Sequence, residues 1–351
     1  MADVRAAIRA YEQWLGERLG TRLVREDLEH KHMLMREEAF AFLRGTCFRW
    51  AETAPELCPD FMGAPAVPSV IDSHVGNFGL WSDVEGRMVW GVNDFDEAAS
   101  APWPLDLVRL AASALLAAGK QGCSAAETEA AILDGYALGI ETPRPYVLER
   151  ERGWLRALFA ASAEDRADFW AGILALPPAR RPAAAFVAAL KNALPERGIA
   201  VSLSRRRAGV GSLGRLRLVA AAPAWRGGPV AREAKAAIPS CWSPKSRTGA
   251  GYAYAAGRFR APDPWLKADG DLVVRRLAPD SRKLGFDELR PHLRRRLLRA
   301  MARDIAAVHA GRRGAAEAVK ADLARRAEGW LAAAAADVAA ATVRDWKAWR
   351  G

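Results

Sequence analysis

Two short acidic segments in the first third of the chain carry residues suited to phosphoryl transfer. Residues 72–77 read Asp-Ser-His-Val-Gly-Asn, and Asp94 follows 17 positions after Asn77. Transfer of a phosphoryl group needs a carboxylate near the acceptor hydroxyl and oxygen ligands for a Mg²⁺ ion that bridges the phosphates. Asp72 would supply that carboxylate, Asn77 one metal ligand on the same loop, and Asp94 a second ligand.

Strand-like runs precede both segments and therefore place the acidic side chains on loops at strand ends. The runs are Val67 to Asp72 and Met88 to Asn93, and the chain between Asn77 and Asp94 is long enough for a β-hairpin. Either acid alone would be read as a turn-forming residue after a strand. Their occurrence together, with Asp106 downstream, favours a site in which Asp106 accepts hydrogen bonds from loop amides.

A glycine-rich segment lies much further along the chain. Its G-x-G-x-x-G pattern consists of Gly209, Gly211, Ser212 and Gly214. In a dinucleotide-binding fold such glycines must open a helix. Here they lead into residues 215–219, whose alternation predicts a strand. The pattern favours a β-turn-β lid whose N–H groups cover phosphates, and a glycine-rich hairpin without a ligand stays open as the alternative.

Sites for phosphoryl transfer also need a cation on a neighbouring strand to hold phosphates. Lys235 is the candidate, with Arg232 as a competitor and a plain surface lysine as the alternative. Three acids could pair with this lysine: Glu37, Glu38 and Glu233. Arg44 could reach a phosphate or form an ordinary ion pair. His74 could bind a phosphate, orient Asp72 or support the loop backbone.

The acidic segments resemble those of known phosphotransferases. Residues 72–77 resemble the D-x-H-x-x-N catalytic loop of aminoglycoside and choline phosphotransferases, within the protein-kinase-like superfamily. Asp94-Phe95-Asp96 resembles the metal-binding D-F-G segment, with Asp96 in place of Gly as structural support. Residues 104–107 resemble the P-x-x-D-L element that follows. The resemblance implies ATP and Mg²⁺ as cofactors.

A closer resemblance is to a largely uncharacterised bacterial family, the domain of unknown function 2252. It rests on residues 40–46, 74–79, 93–97 and 234–240 and extends over roughly residues 30–310. The last of these runs resembles the lysine-containing segment of the family. One departure is Ile71, at a position where the family usually has Gly.

The order of these parts predicts an unusual chain path. In ordinary kinases the glycine-rich lid and the lysine precede the catalytic loop, whereas here they follow it. We therefore expect an α+β, bilobal protein-kinase-like fold that is circularly permuted. Residues 1–199 would form a helical lobe with both loops, 200–285 a small β-rich lid lobe, and 286–351 helices that pack back on the first lobe. One ATP could bridge the two parts only if they lie within about 10 Å.

Composition narrows the partners. The net charge is +11 and the pI near 9.9, which favours anionic partners. Nucleic acid is nevertheless disfavoured as the partner. Ala and Arg are abundant throughout the chain, as GC-biased coding would produce, so the positive charge is not a specific signal for nucleic-acid binding. The four cysteines are widely spaced, which argues against a zinc ribbon or a disulfide scaffold. No signal-peptide core and no run of about 18 apolar residues is found, so we expect a cytoplasmic protein without a membrane span.

The function predicted from these residues is transfer of the ATP γ-phosphate to an unidentified acceptor hydroxyl, either on a small molecule or on a protein. A catalytically silent ATP-binding regulator is one alternative, although retention of Asp72, Asn77, Asp94 and Lys235 argues against it. A nucleotidyl (AMP) transferase with reversed ATP is another. A basic nucleic-acid-binding module is a distant further alternative.

Overall fold

The computed structural model describes residues 3–118, 122–149, 153–280 and 285–351. Its helices are α1 (Val4–Leu19), α2 (Arg25–Glu37), α3 (Ala39–Gly45), α4 (Cys47–Leu57), α5 (Pro104–Ala117), α6 (Ala125–Glu141), α7 (Gly153–Phe159), α8 (Ala163–Leu174), α9 (Ala184–Asn192), α10 (Pro291–His309), α11 (Ala315–Leu323) and α12 (Trp330–Arg350). Its strands are β1 (Ala66–Ser69), β2 (Phe78–Ser82), β3 (Met88–Val92), β4 (Ala99–Pro102), β5 (Tyr146–Val147), β6 (Ser202–Arg205), β7 (Arg217–Trp225), β8 (Gly228–Ala236), β9 (Lys267–Asp269) and β10 (Leu272–Leu277). The predicted mixed α+β class is confirmed.

Two small antiparallel sheets surround the acidic segments. β1 pairs with β4, and β2 forms a hairpin with β3, which also pairs with β5. The 70–77 loop follows β1, and Asp94 comes two residues after the end of β3. The two predicted strands therefore exist, and β2 is the other strand of the hairpin for which the chain between Asn77 and Asp94 was long enough. β4, which pairs with β1, is a strand that the sequence analysis did not predict.

The larger sheet contains five antiparallel strands in the order β6-β7-β8-β10-β9. β6 and β7 are paired neighbours, so residues 206–216 form the connection between them. The glycine-rich segment therefore has the β-loop-β setting that the alternation after Gly214 predicted. Lys235 lies on β8 between Arg217 of β7 and Val273 of β10.

The apolar core is divided among several clusters. The largest surrounds α5, whose residues from Pro104 to Ala114 are all buried. A second cluster packs α1, α2 and α9 on one face of the five-stranded sheet, and a third packs α8 on the sheet through Ile173. Helices that precede residue 200 thus cover the sheet as well as the acidic loops. Among the helices of the described residues, none contains an uncharged apolar stretch of the length that a membrane span requires.

The segment from Cys241 to Pro264 packs against the residues that follow β3. It contains a short 3₁₀ turn, Ala250–Ala256, in which Gly251 lies against the carbonyl oxygens of Phe95 and Ala98. Any side chain at Gly251 would overlap this backbone. The loop is therefore held beside the metal-binding segment proposed from the sequence.

Candidate active site

Asp106, in the first turn of α5, holds the start of the acidic loop. Its carboxylate is fully buried and accepts hydrogen bonds from the amides of Val70 and Ile71, both at 2.7 Å. It also lies 3.0 Å from Nε2 of His309 and 3.3 Å from the hydroxyl of Ser73. A buried carboxylate is stable only when such donors satisfy it. Asp106 thus occupies the supporting position that the sequence analysis gave it.

Ile71 has an uncommon backbone conformation. Its φ is 64°, and the amide of Asp72 donates to the carbonyl of Val70 across it at 2.8 Å. This is a three-residue γ-turn with positive φ, which is rare and strained for a β-branched residue. A glycine would adopt this conformation without the steric strain that Ile71 carries.

Asp72 faces a small cavity with one oxygen engaged and the other accessible. Its Oδ1 accepts from Nε and Nη2 of Arg109 at 3.0 and 2.5 Å. Its Oδ2 lies 3.7 Å from Nε2 of His74. Because Nδ1 of His74 accepts from the Gly76 amide, a neutral imidazole carries its proton on Nε2 and directs it toward Asp72. Burial lowers the pKa of Arg109, but the charge and hydrogen bond of Asp72 and the nearby cysteines together outweigh it, so that pKa is raised.

Asn77 joins the two acidic segments. Its Nδ2 donates to the backbone carbonyls of Asp72 and Asp94, both at 3.1 Å. These two acceptors fix the orientation of the amide, so Oδ1 points elsewhere. That oxygen is buried and accepts no hydrogen bond from any described residue. An unsatisfied buried oxygen of this kind calls for a ligand or a cation.

Lys235 reaches the same place from the five-stranded sheet. Its Nζ contacts Oδ2 of Asp96 and lies 3.7 Å from Oδ1 of Asp94. Asp96 also accepts from Arg215 at 3.0 Å and from the hydroxyl of Tyr252 at 2.7 Å. Burial would raise the pKa of Asp96, but Lys235 and Arg215 outweigh it and hold that pKa well below its ordinary value. The acid that pairs with Lys235 is therefore Asp96, not one of the three glutamates proposed from the sequence.

The glycine-rich segment covers the acidic loop. A Cβ built at Gly211 would lie 3.8 Å from Oδ2 of Asp72 and 3.1 Å from the carbonyl of Arg44. Gly209 has a φ of 74° and leads into a short 3₁₀ turn that ends at Ser212. Gly214 does not join them in the cleft, because it packs against Leu28 of α2. The expected separation of less than 10 Å between loop and glycine segment is thus met.

Ser212 and Arg44 complete this part of the site in different ways. The hydroxyl of Ser212 accepts from Nη2 of Arg217 at 2.8 Å. The guanidinium of Arg44 lies 5.7 Å from the ring of Phe40, and its Nε is buried without a partner in the described residues. Burial lowers the pKa of Arg44, and the charges of Asp72 and Glu38 oppose this effect. Arg44 is thus a half-buried cation with an unused buried donor.

Two cavities meet between these elements. The inner one, about 50 Å³, lies beside Asp72 and His74. The outer one, about 340 Å³, runs between Asp94 and the sheet. Asp94, Arg44 and the glycine-rich segment line both the inner and the outer cavity. Apolar side chains also line the outer cavity: Leu80, Trp81, Phe169, Leu266 and Leu277.

The residues present fit a Mg²⁺ ion that binds together with phosphates. Mg²⁺ prefers oxygen ligands and is held by one or two side chains plus phosphate oxygens and water. The orphaned Oδ1 of Asn77 and the 40% exposed carboxylate of Asp94 are such ligands. No cluster of three or more His, Cys, Asp or Glu side chains that could hold a metal occurs in the described part of the chain. Asn77 and Asp94 would therefore hold the ion with phosphate oxygens as its other ligands.

Several residues of the site were missed by sequence reasoning. Arg109 is the single basic residue of the otherwise apolar stretch that follows Asp106 in α5, three positions after that acid, and this was its only signal. Arg215 contacts Asp96 and Glu97, which lie more than a hundred positions earlier. Tyr252 stands in a loop without a motif. Only the folded chain brings Arg215 and Tyr252 to the acidic segments.

Comparison with known proteins gives one result. Residues 22–138 match the model of a family described as "Uncharacterized protein conserved in bacteria (DUF2252)". Over that stretch the chain is similar to DUF2252 proteins. This DUF2252-like segment (residues 22–138) carries Asp72, Asn77, Asp94 and Asp106 and ends before the five-stranded sheet, well short of the extent of about 30–310 expected from the sequence. Neither the curated proteins nor the solved structures contain a match.

Proposed function

We propose that this protein is a kinase-like phosphotransferase that moves the γ-phosphate of ATP to an acceptor hydroxyl. One observation carries the proposal: Asp72, Asn77 and Asp94 line one cavity with the glycine-rich segment, and Lys235 lies 3.7 Å from Asp94, although 115 positions or more separate the first three residues from the last two elements in sequence. Turn-forming acids and a glycine hairpin without a shared role would have no reason to meet.

The residues suggest a division of tasks. Oδ2 of Asp72, the oxygen not held by Arg109, would accept the proton of the acceptor hydroxyl, and His74 would orient it. Asn77 and Asp94 would hold Mg²⁺, which when bound offsets the negative charge of the phosphates. Amides of Gly209 to Ser212 would cover the phosphates.

The same contacts support a circularly permuted kinase-like chain path. In ordinary kinases a helix leads directly into the catalytic loop. Here α10 ends at His309, whose Nε2 lies 3.0 Å from Asp106, and Asp106 in turn holds the amides of Val70 and Ile71. The end of α10 therefore lies beside the start of the acidic loop, where an unpermuted chain would connect them.

Calorimetry of ATP binding with and without Mg²⁺ tests this function. Wild type should bind ATP in a Mg²⁺-dependent manner, and Asp94→Ala should weaken binding sharply. Asp134→Ala, on the exposed surface of α6, is the control and should bind as wild type does. Asp72→Asn should bind ATP but lower ADP release about 10²- to 10⁴-fold, as expected for a lost general base. Absence of ATP binding at millimolar concentration would reject the proposal.

A catalytically silent ATP-binding regulator is the second candidate, favoured by the engagement of Asp72 with buried Arg109 and its cover by Gly211. In that case ATP binds as above, but ADP release is at background and does not change in Asp72→Asn. Release of AMP in place of ADP would instead indicate nucleotidyl transfer.

A further inference from the structure

A buried glutamate on β8 organises three arginines from three different segments. Glu233 accepts from Arg206 at 2.5 Å, from Arg275 at 2.8 Å and from Arg217. Arg206 begins the glycine-rich connection, Arg217 begins β7 and Arg275 lies on β10. One carboxylate would be balanced by one arginine, so this cluster carries two positive charges in excess.

Two of these arginines have unused donors. Arg275 employs only Nε toward Glu233, and its two terminal nitrogens donate to no residue in the described part of the chain. Its side chain is 36% exposed, and that of Arg206, which employs one terminal nitrogen, is 24% exposed. Both line the outer cavity. Glu233 thus holds both guanidinium groups at the cavity while several of their N–H groups stay available to a ligand.

The outer cavity as a whole has the same positive excess. Six arginines line it: Arg44, Arg206, Arg217, Arg260, Arg275 and Arg276. Four carboxylates line the cavity or form ion pairs with these arginines, namely Asp94 and Asp263 in the lining and Glu233 and Asp304 behind it. Partly desolvated positive charges repel one another, and an anionic ligand offsets this electrostatic repulsion.

Lys235 alone does not provide the uncompensated positive charge that an anionic ligand would neutralise. Its ammonium contacts Asp96 and lies 3.7 Å from Asp94, so its charge is already opposed by two carboxylates. Arg275 is two positions along β10 from Val273, the neighbour of Lys235 in the sheet. The guanidinium donors therefore lie beside the lysine on the same sheet.

We propose that Arg206 and Arg275, fixed by Glu233 together with Arg217, form a polyphosphate-binding subsite that holds the phosphate chain of the nucleotide beside Lys235. A planar guanidinium matches phosphate oxygens with two parallel N–H donors, which a lysine cannot do. The naming of a nucleotide as the ligand rests on the proposed function; the affinity for linked phosphates does not.

The test uses inorganic tripolyphosphate, which has no base or sugar, and Mg²⁺-ATP as separate ligands in calorimetry. Wild type should bind both. Arg275→Gln should weaken tripolyphosphate binding about tenfold or more, the factor expected when a charge-assisted hydrogen bond is lost. Arg275→Lys should recover only part of that loss. The control is Arg299→Gln, an arginine ion-paired with Asp134 on the exposed side of α10, which should leave affinity within about twofold.

The outcomes separate this subsite from the proposed function. Tripolyphosphate binding that needs Arg275, without Asp72-dependent turnover of ATP, would leave the subsite standing and reject the kinase. Asp72-dependent turnover with unchanged affinities in Arg275→Gln would do the reverse. If the thermal denaturation curve of Arg275→Gln shows that this variant is not folded, Arg206→Gln is tested in its place. Failure of wild type to bind millimolar tripolyphosphate overturns the subsite.

Discussion

The two halves of the cleft are built differently. The loops between residues 70 and 97 are held by hydrogen bonds within the DUF2252-like segment, such as those that the amides of Val70 and Ile71 donate to Asp106. The five-stranded sheet reaches the cleft through buried ion pairs, and Lys235 and Asp96 are 139 positions apart. The first half thus depends on local backbone geometry, and the second on the arrangement of the whole chain.

This difference predicts how each half fails. Loss of an acceptor in the first half leaves neutral amides without partners and changes the shape of a loop. Loss of one charge in the second half leaves an opposite charge buried without compensation. Substitutions in each half should therefore be distinguishable by what rescues them.

The largest expected effect is that of Asp106→Asn. The amide replaces one carboxylate oxygen with a donor, which then faces either the Ile71 amide or the Val70 amide and His309. Loss of charge-assisted hydrogen bonds and burial of unpaired donors should lower the free energy of unfolding by about 4 kcal/mol. Urea denaturation measures this loss.

Asp322→Asn is the matched control for Asp106. Asp322 is also a mostly buried aspartate, but it accepts from the side chains of Trp103 and Arg326 and does not hold the acidic loop. Its substitution should cost about 1–2 kcal/mol and leave amide exchange at Val70 and Ile71 unchanged. Equal losses and equal exchange in both variants would contradict a special role of Asp106 in shaping the loop.

The next effect concerns the ion pair between the halves. Lys235→Met leaves Asp96 with Arg215 and Tyr252 but without its lysine, and should cost about 3 kcal/mol. Adding Asp96→Asn to Lys235→Met removes the carboxylate charge that has lost its lysine. The double variant should regain at least about 1 kcal/mol of the free energy of unfolding. Chemical denaturation of both single variants and the double variant measures this coupling. Additive losses would mean that the two charges do not interact.

Lys31 is close to charged residues of both halves, Asp72 and Arg215. Removing its charge should stabilise the fold, whereas the substitutions above destabilise it. Lys31 is buried on α2, where a Cβ added at Gly45 would lie 3.3 Å from its Cε. Burial, aided by the charge of Arg215, lowers the pKa of Lys31 from 10.5 to about 8. That difference corresponds to about 3 kcal/mol. Because Lys31→Met also removes a cation–π contact with Tyr11, we expect it to stabilise the fold by about 2 kcal/mol at pH 7.

The sign of the pH dependence follows from the lowered pKa of Lys31. Below pH 8 the folded chain carries the full cost of a buried charge. Between about pH 8 and 10.5 the unfolded chain binds more protons, so wild-type stability from this group rises with pH. The advantage of Lys31→Met should therefore be complete below pH 8 and vanish near pH 10.5. Denaturation at pH 7 and pH 10 tests this, and a pH-independent difference would exclude the charge as its cause.

The contrast between the halves also explains what the sequence could predict. Asp72, Asn77 and Asp94 could be grouped because their spacing fits one loop and one hairpin, and the β-loop-β setting followed from the alternation after Gly214. The acid beside Lys235 could not, because Asp96 approaches it only when the sheet packs on the loops. Strand β4 was missed since its run Ala-Ser-Ala-Pro is short and ends in proline.

The smallest expected effect tests the local geometry of the first half at Ile71. Both Ile71→Ala and Ile71→Gly remove a buried side chain and should each cost at least about 2 kcal/mol. Because φ is 64°, the glycine variant should be the more stable of the two by about 1 kcal/mol. Ile305, equally buried inside α10, is the control, and there alanine should exceed glycine by about 1 kcal/mol. The same order at both positions in urea denaturation would show that the turn at Ile71 is not strained.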